Sequence, residues 1–117
     1  MSWQDTVRHE LAHAERARAS GNEGMARVCA RRAAGWAIKA HLGEAGVDLD
    51  TNSVIEHFRH MLAQDDTQAE QRLLIEHLRM PKLRPNLEED SFFPEDIDLI
   101  ADARQMIRLL FPNENFS

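Results

Sequence analysis

The chain contains no tyrosine, and its aromatic residues are limited to two tryptophans and five phenylalanines. A core built from it is therefore mainly Leu, Ile, Ala and Met, a composition typical of helical proteins. A single cysteine, Cys29, excludes an internal disulfide and fits a reducing compartment. No apolar run approaches the roughly 18 residues that a membrane span needs, and no signal-peptide pattern opens the sequence. The expected location is the cytoplasm, with no membrane association. A surplus of positive charge is missing too. The net charge of -6 argues against a protein that coats nucleic acid over its whole surface.

What charge there is lies unevenly. Residues 1–40 carry a balance of +3 and residues 41–117 a balance of -9. A basic N-terminal half on an acidic remainder either docks an anionic partner locally or pairs with its own acidic half. At 117 residues the chain has the size of one domain, 1–117, with a modest core.

Five amphipathic segments are expected as helices, at about 2–19, 23–42, 53–63, 67–80 and 94–111, and no strand is visible. In the first, Trp3, Val7, Leu11 and Ala14 recur on one face, with Ser2 as N-cap and Ser20-Gly21 as the stop. The second carries Ala26, Ala30, Ala33, Ala34, Ala37 and Ala40. Side chains that small let neighbouring helices approach closely, so this helix is expected at the centre. Val54, Ile55, Phe58, Met61 and Leu62 are expected to face inward from the third. Thr67 to Glu70 reads as a capping box for the fourth, which Pro81 stops. A proline-containing acidic loop follows, and Pro94, Glu95 and Asp96 suit the first turn of the fifth helix. That helix buries Ile97, Ile100, Met106, Ile107 and Leu110, and the tail "NENFS" is expected to fray. Short connections between such helices imply an all-α, antiparallel up-and-down bundle of four to five helices. "VIEHFRHM" at 54–61 resembles "LIEHLRM" at 74–80, a short likeness that either a duplication or helix-friendly composition explains.

The stretch "VRHELAHAER" contains His9-Glu10-Leu11-Ala12-His13, the spacing by which zinc proteases hold their ion and general base. In those helices both imidazoles share a roofed face and the glutamate deprotonates the bound water. At about 100° per residue, His9 lies about 150° and His13 about 110° from the buried direction, with Glu10 nearer the flank. Both imidazoles are therefore expected in solvent, and the spelling is read as a coincidence of a wet helix. The alternative is metal binding at His9, Glu10 and His13. His57 and His60, with Glu56, are also spaced to clip an ion, but they fall on the flank and outer face. His41 suits the end of the second helix. A diiron bundle needs two inward Glu-x-x-His motifs, and only Glu10 to His13 has that spacing. No metal or other cofactor is expected.

"ARVCARRAAGWAIKAHLGEAG", residues 26–46, resembles the central helix of HEPN domains, with Ala37-Ile38-Lys39-Ala40-His41-Leu42 matching the family's lysine-containing run. "SVIEHFRHMLAQ" is similar to its short third helix and "DLIADARQMIRLLF" to its last, so the resemblance spans about 20–110 loosely. It implies a HEPN-like bundle that commonly dimerises. It also implies a range of functions: ribonuclease toxins of toxin–antitoxin pairs, partners of small nucleotidyltransferases, and inactive binding modules. Ribonuclease members carry an arginine, usually before a polar residue, and a histidine four to six positions on. Arg72 and His77 are the matching residues, although Leu73 departs from the pattern. On one helix the pair is separated by about 140°, so a dimer would have to bring copies together. Their chemistry would be a guanidinium steadying phosphate charge and an imidazole moving a proton.

Arg27, Arg31, Gly35 and Lys39 recur every four residues on the second helix, with Arg32 beside them. The arginines and Lys39 are candidate contacts to a nucleotide, to RNA or to an acidic protein, with Gly35 permitting close approach. The alternative is that they pair with the acidic later helices. The expectation is thus a HEPN-like binding or assembly module, a homodimer with an anionic ligand or a protein partner. A metal-independent ribonuclease using Arg72 and His77 and a metal-binding bundle are the rivals.

Overall fold

The computed structural model describes residues 2–79 and 97–116. Among them the secondary structure is entirely helical: α1 (Trp3–Ala19), α2 (Glu23–Glu44), α3 (Val54–Leu62), α4 (Ala69–Leu78) and α5 (Leu99–Leu110). The expected segments are all present, trimmed or extended by a turn or less where they can be compared. Met80, the loop from Pro81 and the expected helix start at Pro94 lie outside the described residues.

Local chemistry explains the ends. Ser2 Oγ accepts from the Asp5 amide at 3.1 Å, and Asn22 Oδ1 accepts from that of Met25 at 3.0 Å. Gly21 and Gly46 follow the last turns of α1 and α2 with φ of 83° and 88°, a region that favours glycine. In both, a six-to-one hydrogen bond closes the helix: Asn22 N to Ala17 O and Val47 N to Leu42 O, each 2.8 Å. The second closure lets α2 run through Gly43, two residues past the expected stop at Leu42.

Three local expectations need correction. The capping box at α4 uses Gln68 and Gln71, whose Oε1 accepts from the Gln68 amide at 2.8 Å. Thr67 instead turns inward and donates its hydroxyl to Met61 O at 2.6 Å. Ile55 is 51% exposed, not inward. The tail also packs. Phe116 and Phe111 stack on Trp3 with ring centroids 5.7 and 4.5 Å away, and Arg8 lies over Phe116 while donating to Asn115 O at 3.1 Å. Phe116 is thereby half-buried against α1.

α2 packs against α1, α3 and α5, and α4 packs on α5. Ala26, Ala30, Ala33, Ala34 and Ala37 are all fully buried, so α2 forms the axis of one core. At Gly35 the start of α3 lies close against α2. A Cβ there would lie 2.8 and 2.9 Å from the two methyls of Val54. The close approach that Gly35 permits is thus taken up inside the fold, not by a ligand.

Arg18 ties three helices together. Its guanidinium holds both carboxylate oxygens of Glu23 at 2.9 and 3.0 Å and both of Asp98 at 3.1 and 3.0 Å. Asp98 also caps α5, accepting from the amides of Ile100 and Ala101. Burial pushes the Asp98 carboxyl up, but Arg18 and these amides outweigh it and hold it below the usual aspartate range.

Gly35→Ala is expected to lose stability by about 1–2 kcal/mol, because overpacking against a stiff valine exceeds the helix-propensity gain. Denaturant unfolding should find the same change less costly in a Val54→Ala background. A lowered carboxyl stabilises the fold above the ordinary aspartate range, and that contribution disappears as pH falls through the lowered value. Thermal midpoints measured against pH should therefore show an acid limb that is smaller in Asp98→Asn.

Candidate functional site

Glu10 and His13 are three residues apart on α1 and so share a face. α2 lays Cys29 against that face. Their ligand atoms, one carboxylate oxygen, one imidazole nitrogen and the thiol sulfur, all lie within 4.8 Å of one another. Cys29 is completely buried, while Glu10 and His13 are half-buried at the α1–α2 seam. Oε2 of Glu10 is buried without a hydrogen-bond partner. Burial pushes the Cys29 thiol up, helped by the neighbouring Glu10 carboxylate; Arg32 and Arg16 pull the other way.

The HExxH lettering is divided by this arrangement. His9 is exposed as expected, but His13 and Glu10 are not fully on the wet side. The expectation followed a narrow stripe ending at Ala14, whereas Ala17 is buried too and the small residues of α2 draw α1 close. The covered arc widens and takes in its flank. Cys29 was missed as a partner because its number in the sequence says nothing about α1. Its place in the buried alanine register of α2 was the available signal.

The other candidates have structural partners. His57 is buried, not on a flank, with Nε2 2.8 Å from Thr51 O, its ring 5.9 Å from that of Trp36, and Nδ1 unpartnered. His60 is exposed, and Glu56 pairs with Arg59 at 2.8 Å, so the three do not converge. His41 meets Phe111 edge-on. Along the basic stripe, Arg31 Nε donates to Leu78 O at 2.8 Å, binding α2 to the end of α4. Lys39 donates to Asn52 at 3.1 Å and sits over the Trp36 ring. Arg27 is half-buried and Arg32 exposed.

Arg72 and His77, the ribonuclease candidates, hold different partners. The Arg72 guanidinium donates to three carbonyls, Leu62 at 3.0 Å, Gln64 at 3.0 Å and Thr67 at 3.2 Å, and so closes the α3–α4 turn. His77 Nδ1 lies 3.0 Å from Asp102 Oδ2 on α5. Burial raises the Asp102 carboxyl, and the contact with His77 opposes that shift.

One concavity, of about 210 Å³, lies between α1, α5 and the C-terminal segment. Leu11, Ile107 and Phe116 line it with Arg104, Arg108 and Glu114. Arg104 reaches Glu15 at 3.6 Å, and Arg108 is braced by Gln105 at 2.7 Å.

No family model matches this sequence, and no curated protein or solved structure gives a match.

Arg72→Met should destabilise the protein by about 2 kcal/mol, since three carbonyls lose a charged donor in a half-buried turn. Arg72→Lys should restore only part of that in denaturant unfolding, because one ammonium cannot reproduce the planar fork.

Proposed function

We propose that the chain is a HEPN-like binding and assembly module, not an enzyme, which self-associates and takes a small anionic ligand such as a nucleotide. The antiparallel up-and-down order of its helices belongs to that reading, as does a homodimer. Support for the topology comes from α2, whose alanine surface packs against α1, α3 and α5 as the resemblance implies for its central helix.

The observation that carries the non-catalytic part is the Arg72 guanidinium, engaged with three backbone carbonyls of its own turn. An arginine that steadies a transition-state phosphate turns its fork toward the substrate, whereas here Nε, Nη1 and Nη2 each already donate to a carbonyl of the turn. The His77 ring is held by Asp102 on the neighbouring helix. For the ligand, the pocket beside α5 is better suited than the α2 stripe. Arg104 and Arg108 border an apolar floor of Leu11, Ile107 and Phe116, a combination fitting a phosphate or carboxylate attached to a flat ring. On the stripe, Arg31 and Lys39 bind groups of the fold.

Purified protein incubated with RNA is expected to leave it intact. Cleavage that disappears in His77→Ala would replace this reading with the metal-independent ribonuclease. Titration with nucleoside monophosphates should change the fluorescence of Trp3, which stacks on Phe116 at the pocket rim, and Arg104→Ala with Arg108→Ala should abolish the change.

A further inference from the structure

We propose that Glu10, His13 and Cys29 form a binding site for a thiophilic divalent metal ion, zinc being the best match, at the seam between α1 and α2. The site is independent of the anionic-ligand reading and lies on residues that reading does not use.

Three observations converge there. Three different donor types from two packed helices already stand within 4.8 Å of each other. Tetrahedral zinc with bonds of about 2.0–2.3 Å places its ligands about 3.5 Å apart, so modest side-chain rotations close the cluster. Second, Glu10 Oε2 is buried and accepts no hydrogen bond. A carboxylate oxygen left in that condition is costly, and a cation coordinated by it removes the deficit. Third, the charges match. On binding, Cys29 gives its thiol proton to solvent as the sulfur–metal bond forms. Thiolate and carboxylate then carry two negative charges against the two positive charges of the ion, with neutral His13 as third ligand.

The donor set selects the ion. A thiolate disfavours magnesium and calcium, which take oxygen ligands, whereas mixed sulfur, nitrogen and oxygen donors suit zinc or cobalt. Three protein ligands leave a fourth position, and the half-buried His13 marks the side from which solvent reaches it. Of the HExxH letters only the glutamate and the second histidine take part, and Glu10 acts as a ligand instead of a base. The exposed His9 is not included.

The test uses the full chain, dialysed against chelator and titrated with Co²⁺ and then Zn²⁺. Co²⁺ is expected to give a thiolate-to-cobalt charge-transfer band and the visible bands of tetrahedral coordination, both erased by one equivalent of Zn²⁺. Glu10→Gln, His13→Ala and Cys29→Ser should each weaken Zn²⁺ binding by about 100-fold or more, beyond the effect usual for groups that merely orient a ligand. His9→Ala should leave it unchanged. Glu10→Gln keeps the shape of the seam, so it answers the question even if the cysteine variant misfolds. Absence of the charge-transfer band overturns the proposal, as does Zn²⁺ affinity that survives Cys29→Ser and Glu10→Gln but is lost in His9→Ala, since that marks adventitious binding by exposed histidines. Neither result bears on RNA or nucleotide binding, so the two readings stand or fall separately.

Discussion

The architecture depends on how little side chain α2 presents to its neighbours. Ala26, Ala30, Ala33, Ala34, Gly35 and Ala37 are buried along it, so α1, α3 and α5 meet its backbone at short range. Close contact between helices maximises dispersion without leaving voids, and alanine loses no side-chain entropy when it is buried. Larger groups such as Phe58, Ile38 and Met106 fill the spaces around this axis. A helix wider at any of these positions would push a neighbour outward, and the polar clamps depend on that spacing. Arg18 reaches Glu23 and Asp98 together only because the ends of α1, α2 and α5 converge.

Periodicity made the helices legible, because the face of a helix and its caps are local properties. Ser2, Asn22, Gly21 and Gly46 do what their side chains or φ angles dictate, and the alanine run marks the central helix. The misplacements have a common cause. Thr67 has a nearby carbonyl, Met61 O, that outcompetes the capping amide, and Phe116 finds Trp3 from the far end of the chain. His57 is buried because Thr51 O supplies its ring with a partner. Each of these is decided by a partner outside the residue's own helix, which a periodic pattern cannot register.

The candidate sites were less legible for a related reason. An arginine followed five positions later by a histidine spells a ribonuclease pattern and, here, also a brace for the α3–α4 turn. Arg72 and Arg31 both place guanidinium donors on carbonyls left open at helix ends, a need that every helix creates. Cys29 shows the converse: a residue whose letter suggested only a redox compartment acquires neighbours with ligand chemistry once α1 lies against α2.

The ring cluster of Trp3, Phe111 and Phe116 joins segments that are nearly a full chain apart, as does the Arg8 bond to Asn115 across 107 residues. Closing so large a loop costs little more free energy than closing one half the size, since the penalty grows only with the logarithm of length. In time, however, distant contacts wait for local ones. On sequence separation alone, the pairing of these two segments is therefore expected among the last contacts to form.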